Sequence, residues 1–241
     1  MAGTLLEVDG LTKRFGGFIA LNRVSLAVKA GERFGLIGPN GSGKTTLINC
    51  VSGSLPVDGG RIVFEGGDIT GLPPHRRTRL GIVRSFQIPK PFTSMTVLEN
   101  LHIPLEYAAS TRSHRSDADA EAAEILSAIG LDAKAQLRPA GLTQIEMRKL
   151  ELARAMAARP KLLISDEAMA GLSSAEVDDI LTILFRLNER GITIIMIEHI
   201  MRAVMRFSER IVVLDAGERI AEGTPDEIVR NPAVEKAYLG E

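Results

Sequence analysis

The feature that most constrains the fold is the run Gly38-Pro39-Asn40-Gly41-Ser42-Gly43-Lys44-Thr45-Thr46. It matches the phosphate-loop pattern G-x-x-x-x-G-K-[ST], follows an apolar run at 34–37 and opens a helical pattern. Glycines let backbone N–H groups surround phosphate oxygens at the positive end of a helix. We expect Lys44 to reach the β- and γ-phosphates of a nucleotide and the Thr45 hydroxyl to ligate Mg²⁺. The alternative is a glycine-rich turn that merely precedes a helix.

Two acidic residues close an apolar, strand-like run at 162–165. We expect Asp166 to bind Mg²⁺, directly or through water, and Glu167 to polarise an attacking water molecule. Taken alone, the pair fits equally well as solvated carboxylates that cap a following helix, and the phosphate loop favours the catalytic interpretation. The phosphate loop alone leaves nucleotide kinases, small GTPases and transport ATPases open.

Apolar periodicity predicts an α/β fold in which one stretch contains helices only. Strand-like runs, mostly short and β-branched, lie at 5–8, 24–28, 33–37, 61–64, 81–85, 161–165, 193–197 and 210–214. Helical patterns at 45–52 and 174–189, the latter with Ser173 or Ser174 as candidate cap, favour a mostly parallel sheet covered by helices. Further helical patterns lie at 97–107, 117–129 (candidate cap Ser116 or Asp117), 146–158, 225–230 and 232–239.

Composition restricts the partners and the compartment. The 241 residues carry a net charge of −1, without the basic excess of nucleic-acid-binding proteins, so we expect no nucleic-acid partner. Cys50 is the only cysteine, which excludes an internal disulfide and fits a reducing compartment. No leader-like pattern and no apolar run of roughly 20 residues is visible, so we expect any membrane role to work through a partner.

Four further elements, in order around the phosphate loop, resemble those of the ABC ATPases over the whole chain. Phe15 resembles the aromatic residue that stacks on adenine, and Gln87 resembles the Q-loop glutamine after a core strand. The stretch Ala170-Gly171-Leu172-Ser173 resembles the D-loop, and His199 resembles the switch histidine near the γ-phosphate. Each alone has an ordinary alternative, as a core aromatic, a surface glutamine or a structural histidine; their order and spacing carry the resemblance.

Within this family the chain is most similar to the longer of the two ATPase types of branched-chain amino-acid importers. The similarity rests on the runs 85–87, 95–100 and 166–172 and on the C-terminal Ala237-Tyr238-Leu239-Gly240-Glu241. Relatives that move amides, urea or aromatic acids look much the same, and the ATPase of lipopolysaccharide export is a more distant cousin.

The family signature, usually L-S-G-G-Q, is altered here to Leu142-Thr143-Gln144-Ile145-Glu146, in a register fixed by the helix at 148–155. The hydroxyl is kept, both glycines are gone, and we expect the helix to start at Glu146. Ala168 also replaces the proline that usually follows the catalytic glutamate. In the family two ATPase subunits stack head to tail, and each nucleotide lies between one phosphate loop and the other chain's signature. The alteration therefore concerns the site completed for the partner, which it either weakens or leaves working as a tolerated local variant, and it does not touch the site built on Lys44.

The resemblance implies a single ABC ATPase domain with an N-terminal antiparallel β portion. The P-loop NTPase core would span 1–87 and 160–241, and a helical lobe at 88–159 would carry the signature. ATP and Mg²⁺ are the implied ligands. Lys44, Gln87, Glu167 and His199 would be catalytic, and Thr45, Gln87 and Asp166 would hold the metal. The nucleotide would be surrounded by Phe15, Gly38, Asn40, Gly41, Ser42, Gly43, Lys44, Thr45 and Thr46.

The implied function is ATP hydrolysis that drives solute import, on the inner face of the membrane. Implied partners are a second ATPase subunit, identical or different, integral membrane permease subunits and, indirectly, a solute-binding protein. We expect a groove near Gln87, Pro89, Pro91 and Phe92 to receive a permease helix, unless these residues form an ordinary proline-rich loop.

Two other classes of function stay open. A soluble ABC ATPase of DNA repair or translation is disfavoured, because a long coiled-coil insert and a second ATPase copy are both absent from the sequence. A nucleotide-binding subunit with impaired hydrolysis is suggested by the altered signature and disfavoured by Glu167 and His199.

Overall fold

The first of two sheets is antiparallel and is built mainly by the N-terminal residues. A computed structural model describes residues 3–85, 90–108 and 115–239 of the chain. Strands β1 (Thr4–Phe15), β2 (Phe18–Lys29), β4 (Gly59–Phe64) and β5 (Gly67–Asp68) pair in the order β2-β1-β4-β5. In β1 and β2 apolar side chains alternate towards one face, as expected of a sheet with one buried side.

The second sheet is mostly parallel and carries the phosphate loop. It contains β3 (Arg33–Ile37), β6 (Ile82–Ser85), β7 (Leu162–Asp166), β8 (Thr193–Ile197), β9 (Arg210–Asp215) and β10 (Glu218–Gly223), in the order β10-β9-β3-β8-β7-β6. Only β10 runs antiparallel to its neighbour. Strands β7 and β8 are buried at every residue, because helices or the first sheet cover both faces.

Helices cover this second sheet and also form a layer of their own. They are α1 (Lys44–Ser52), α2 (Pro74–Leu80), α3 (Glu99–Ala108), α4 (Arg115–Ile129), α5 (Gln144–Ala157), α6 (Ser174–Glu189), α7 (Met201–Phe207), α8 (Pro225–Val229) and α9 (Pro232–Leu239). Helices α3, α4 and α5 follow β6 and precede β7 in the sequence, and they pack on one another. One apolar core lies between the two sheets and α1, and the other lies beneath α3 to α7.

The sheet order brings three functional segments to one edge. Strand β3 lies between β8 and β9, and β7 lies beside β8, all in parallel. The carboxyl ends of parallel strands share an edge, which is where open α/β sheets bind ligands. The phosphate loop after β3, the acidic pair at the end of β7 and His199 after β8 therefore meet there.

The expected α/β fold with an antiparallel N-terminal portion is confirmed, with corrections to individual elements. The structure adds β5, β10, α2 and α7, which the apolar pattern did not indicate. Ser173 is the cap of α6, and its hydroxyl accepts from the Glu176 N–H. Two expectations were wrong: α5 begins at Gln144 rather than Glu146, and α4 already begins at Arg115, so neither Ser116 nor Asp117 precedes it. None of the helices in the described ranges is long and apolar enough to cross a membrane.

Candidate nucleotide-binding site

The phosphate loop folds tightly against the rest of the sheet, and two of its glycines make this fold possible. Gly38 has φ 153°, and a Cβ there would lie 2.1 Å from the Leu214 carbonyl oxygen. Gly43 has φ 103°, and a Cβ there would lie 2.7 Å from the Ala20 carbonyl oxygen. Gly43 precedes α1 without a side-chain cap, so the first N–H groups of the helix can serve an anion.

Lys44 places a buried cation at the mouth of this loop. The side chain is 7% exposed, and Nζ donates to the Gly38 carbonyl at 2.7 Å and to the Pro39 carbonyl at 3.0 Å. Burial lowers the pKa of Lys44, and the negative charges of Glu167 and Asp166 oppose that shift. The ammonium thus donates to neutral carbonyl oxygens. A bound phosphate would take over these hydrogen bonds, which would then be stronger because the acceptor is charged.

The acidic pair and the histidine lie beside the loop. Asp166 ends β7 and is 6% exposed, whereas Glu167 is half-buried. Glu167 has φ 49°, a left-handed conformation that is uncommon for a residue with a Cβ and typical of functional sites. His199 Nε2 lies 3.0 Å from Glu167 Oε1. Carboxylate and imidazole are therefore in hydrogen-bond contact, as a base and the group that orients it must be.

Two aromatic rings of the β1–β2 hairpin complete the cavity. Phe15 is 48% and Phe18 is 64% exposed, and the two residues face each other across the hairpin. The cavity of 290 Å³ is lined by Phe15, Phe18, Ala20, Asn40, Gly41, Ser42, Gly43, Lys44, Thr45, Thr46, Glu167 and His199. Phe18 and Ala20 were missed by the sequence analysis. The sequence signal for Phe18 was a second aromatic residue directly after the turn residues Gly16-Gly17.

The residues expected at the metal fit Mg²⁺ in part. The exposed Thr45 hydroxyl and the Asp166 carboxylate supply the hard oxygen ligands that Mg²⁺ prefers, and Mg²⁺ commonly takes one or two protein ligands together with phosphate oxygens. Gln87, the third expected ligand, lies outside the described residues. Within the described ranges no cluster of three or more acidic, histidine or cysteine side chains could hold a metal without a nucleotide.

The altered signature stands apart from this cavity. The cavity is not lined by Leu142, by Thr143, which caps α5, or by Gln144, Ile145 and Glu146, which form the first turn of that helix. Gln144 and Ile145 are right-handed helical, so neither adopts the left-handed backbone that glycine would allow there. The exposed Gln144 side chain reaches the D-loop, where its Nε2 would be 2.8 Å from a Cβ at Gly171. Ile145 packs against the core below the helices.

One buried carboxylate near the site was not predicted from the sequence. Glu198 is 2% exposed and its Oε1 accepts from the Met169 backbone N–H at 2.9 Å, so the residue after β8 is bonded to the residue before the D-loop. Burial, with the charges of Glu167 and Asp166, raises the pKa of Glu198 to about 7. From the opposite side, Arg148 Nη2 of α5 donates to the Ala170 carbonyl at 3.3 Å. No sequence pattern indicated that Glu198 would be buried and bonded to Met169.

A sequence profile of the ABC transporter family matches residues 21–170, more than half of the chain. The chain belongs to the ABC transporter family. A second profile, of the branched-chain amino acid ATP-binding cassette transporter, matches residues 218–241 of this ABC ATPase.

Curated relatives support the same placement over the full length. The ATP-binding protein BraF for high-affinity branched-chain amino acid transport, from Pseudomonas aeruginosa, is 41% identical over 254 residues and covers 100% of both chains. The probable branched-chain amino acid transport ATP-binding protein LivG of Archaeoglobus fulgidus is 41% identical over 98% of this chain and 95% of its own.

Solved structures agree in fold. An ATP-binding cassette of an ABC transporter in its ADP conformation matches with a TM-score of 0.89 at 35% identity, covering 99% of both chains. A dimeric cassette in a post-hydrolysis state, bound to ADP and phosphate, matches with a TM-score of 0.83 at 26% identity, covering 92% of this chain and 99% of its own.

The first prediction concerns the cation. Lys44→Ala removes a charge-assisted contact worth roughly 1.5–3 kcal/mol, so we expect affinity for Mg·ATP to fall about tenfold to a hundredfold. Titration with a fluorescent ATP analogue measures it. Lys161→Ala, at an exposed pair with Glu65, is the control and should bind as the wild type does. Equal affinities for Lys44→Ala and the wild type would refute the assignment of the phosphate loop.

The second prediction concerns Glu198 and pH. A carboxyl whose pKa is raised in the folded state contributes stability below its unfolded value of roughly 4.3, and this contribution is lost as pH rises towards about 7. Glu198→Gln cannot titrate. We therefore expect its free energy of unfolding, relative to wild type, to increase by up to about 3 kcal/mol between pH 5 and pH 8. Urea denaturation at both pH values tests this, with the exposed Glu189→Gln as control. A relative stability that is the same at both pH values contradicts it.

Proposed function

We propose that this chain is the ATP-hydrolysing subunit of an importer for branched-chain amino acids or related small polar solutes, acting on the inner face of the membrane through permease subunits. The observation that carries hydrolysis is the single cavity in which the phosphate loop, Glu167 and His199 meet. The solute class is supported by the branched-chain profile at residues 218–241 and by relatives whose names specify branched-chain amino acid transport.

In the proposed mechanism the residues of this chain bind ATP before they act on it. Phe15 and Phe18 offer exposed ring faces for the adenine, and the N–H groups of the loop with Lys44 hold the phosphates. Thr45 and Asp166 would hold Mg²⁺, which neutralises charge on the β- and γ-phosphates when bound. Gln87 is proposed as a further ligand and catalytic residue.

Glu167 and His199 are proposed to carry the chemistry. Glu167 would accept a proton from the attacking water, and its left-handed backbone fixes where the carboxylate stands. His199, 3.0 Å away, would orient that carboxylate and contact the γ-phosphate. Closure of an ATP-bound dimer and its reopening after hydrolysis would move the attached membrane subunits.

The permease is proposed to dock on the layer of α3, α4 and α5, which corresponds to the proposed helical lobe at 88–159. Phe92, Ile103 and Tyr107 expose apolar side chains at 38–39% of their surface near the start of this segment. Phe92 is held in place by its N–H bond to Asn100 and by Arg154 over its ring. Pro91 lies beside it, and Pro89 and Gln87 lie outside the described residues.

The third prediction separates binding from chemistry. Glu167→Gln is nearly isosteric but cannot accept the proton, so we expect normal ATP affinity and loss of turnover in the assembled complex, by about 10²-fold or more. A closed, ATP-bound dimer should accumulate. Phosphate release and analogue binding are the measurements, with Glu189→Gln as a matched surface control. Wild-type turnover of Glu167→Gln would exclude Glu167 as the base, and an inactive wild-type complex would favour a purely nucleotide-binding subunit.

We propose further that the partner ATPase is a different chain that carries glycines in its signature. In this chain Gln144 and Ile145 have helical backbones, so the N–H groups at the start of α5 are in their usual helical positions. Both residues carry side chains where the family usually has glycine. The Thr143 N–H is also taken by Glu146 at 2.9 Å. The signature end of α5 is thus bulkier and partly self-capped, which weakens the site that it completes for a partner. The competent site would combine Lys44 with the partner's signature.

The fourth prediction tests this asymmetry. In the purified complex at saturating ATP, we expect Lys44→Ala to reduce ATPase activity and solute uptake more than the equivalent change in the partner's phosphate loop. Both variants are assayed side by side in the same membrane preparation. Equal losses, or a fully active homodimer of this chain alone, would show that both composite sites work.

A further inference from the structure

Strand β6 places an arginine next to the acidic pair. Arg84 pairs with Ile164 of β7, two residues before Asp166, in the parallel register of the two strands. Strand β6 ends one residue later, immediately before the segment that contains Gln87. The side chain of Arg84 therefore lies beside the end of β7, within hydrogen-bond distance of Asp166.

Arg84 donates two hydrogen bonds to a single oxygen of Asp166. Arg84 Nε and Nη2 lie 3.1 and 2.5 Å from Asp166 Oδ2. The two side chains are 15% and 9% exposed, so solvent screens the pair weakly. Both hydrogen bonds go to Oδ2, which fixes the rotation of the carboxylate and directs its other oxygen elsewhere.

The same guanidinium reaches the helix that follows the phosphate loop. Arg84 Nη1 donates to Asn49 Oδ1 at 2.6 Å, and Asn49 lies on α1, which begins with Lys44 and Thr45. One planar group thus connects the loop helix, the end of β7 and the strand before Gln87. A lysine could not make this set of contacts, because its ammonium lacks the rigid fork of donors.

We propose that Arg84 is a positioning residue that orients Asp166 towards Mg²⁺ at the nucleotide and keeps it in register with Thr45 on α1. The proposal rests on the Mg·ATP site proposed above. Residues that hydrogen-bond to a metal ligand orient it, and their loss typically costs tenfold or more in metal affinity. Arg84 acts through Asp166 and is not assigned a contact with the reacting atoms.

The test uses Mg²⁺-dependent binding by the full chain. A fluorescent ATP analogue is titrated at increasing Mg²⁺, and the Mg²⁺ concentration for half-maximal binding is recorded. For Arg84→Lys, which keeps the charge but loses the fork, we expect this concentration to rise on the order of tenfold. Asn49→Ala removes only the hydrogen bond to Arg84 Nη1, so it should raise the Mg²⁺ concentration for half-maximal binding by a smaller factor.

A matched control separates positioning from structure. Arg210 also pairs with a carboxylate through two nitrogens, and each lies 2.8 Å from an oxygen of Glu32. The pair is comparably buried and lies outside the cavity. Arg210→Lys should leave the Mg²⁺ dependence unchanged. Wild-type Mg²⁺ dependence in Arg84→Lys, or an equal shift in Arg210→Lys, would overturn the proposal. If the wild type itself shows no Mg²⁺ dependence, the proposed Mg·ATP site fails first.

Discussion

The structure depends on one buried charge, the Lys44 ammonium held by the carbonyl oxygens of Gly38 and Pro39. A buried cation is costly unless it is fully hydrogen-bonded or neutralised, which explains both the lowered pKa of Lys44 and its position near two carboxylates. The backbone can turn its carbonyls onto Lys44 only because Gly38 packs against the Leu214 carbonyl without a Cβ. The sheet order, the shape of the loop and the position of the Lys44 charge together make the phosphate loop suited to binding a phosphate.

Much of this could be predicted, because buried strands and phosphate loops are local signals. Strands β3 and β8 matched the apolar runs 33–37 and 193–197 residue for residue. The run at 218–223 carries two glutamates and an arginine, so β10 escaped the apolar pattern although it pairs well with β9. The positions of the site residues follow from the sheet order, but contacts across distant segments, such as Glu198 to Met169 or Arg84 to Asp166, have no local signature.

The site consists of residues that face the cavity and residues that support them from behind. Lys44, Glu167 and His199 face the cavity, whereas Arg84, Glu198 and Arg148 hold the segments that carry them. The altered signature belongs to neither group in the chain's own site, because α5 begins away from the cavity. In the asymmetric dimer proposed above, the lost signature glycines would affect the partner's site and leave the phosphate loop of this chain unchanged.

The Lys44 ammonium is held in position for the β- and γ-phosphates of ATP. A structure of the full chain with Mg²⁺ and a non-hydrolysable ATP analogue tests it most directly. We expect Lys44 Nζ to exchange its bonds to the Gly38 and Pro39 carbonyls for phosphate oxygens at about 3 Å, with the adenine on the ring of Phe15. A nucleotide bound elsewhere, or a Lys44 that keeps both carbonyl bonds while other groups hold the phosphates, would contradict this role of Lys44.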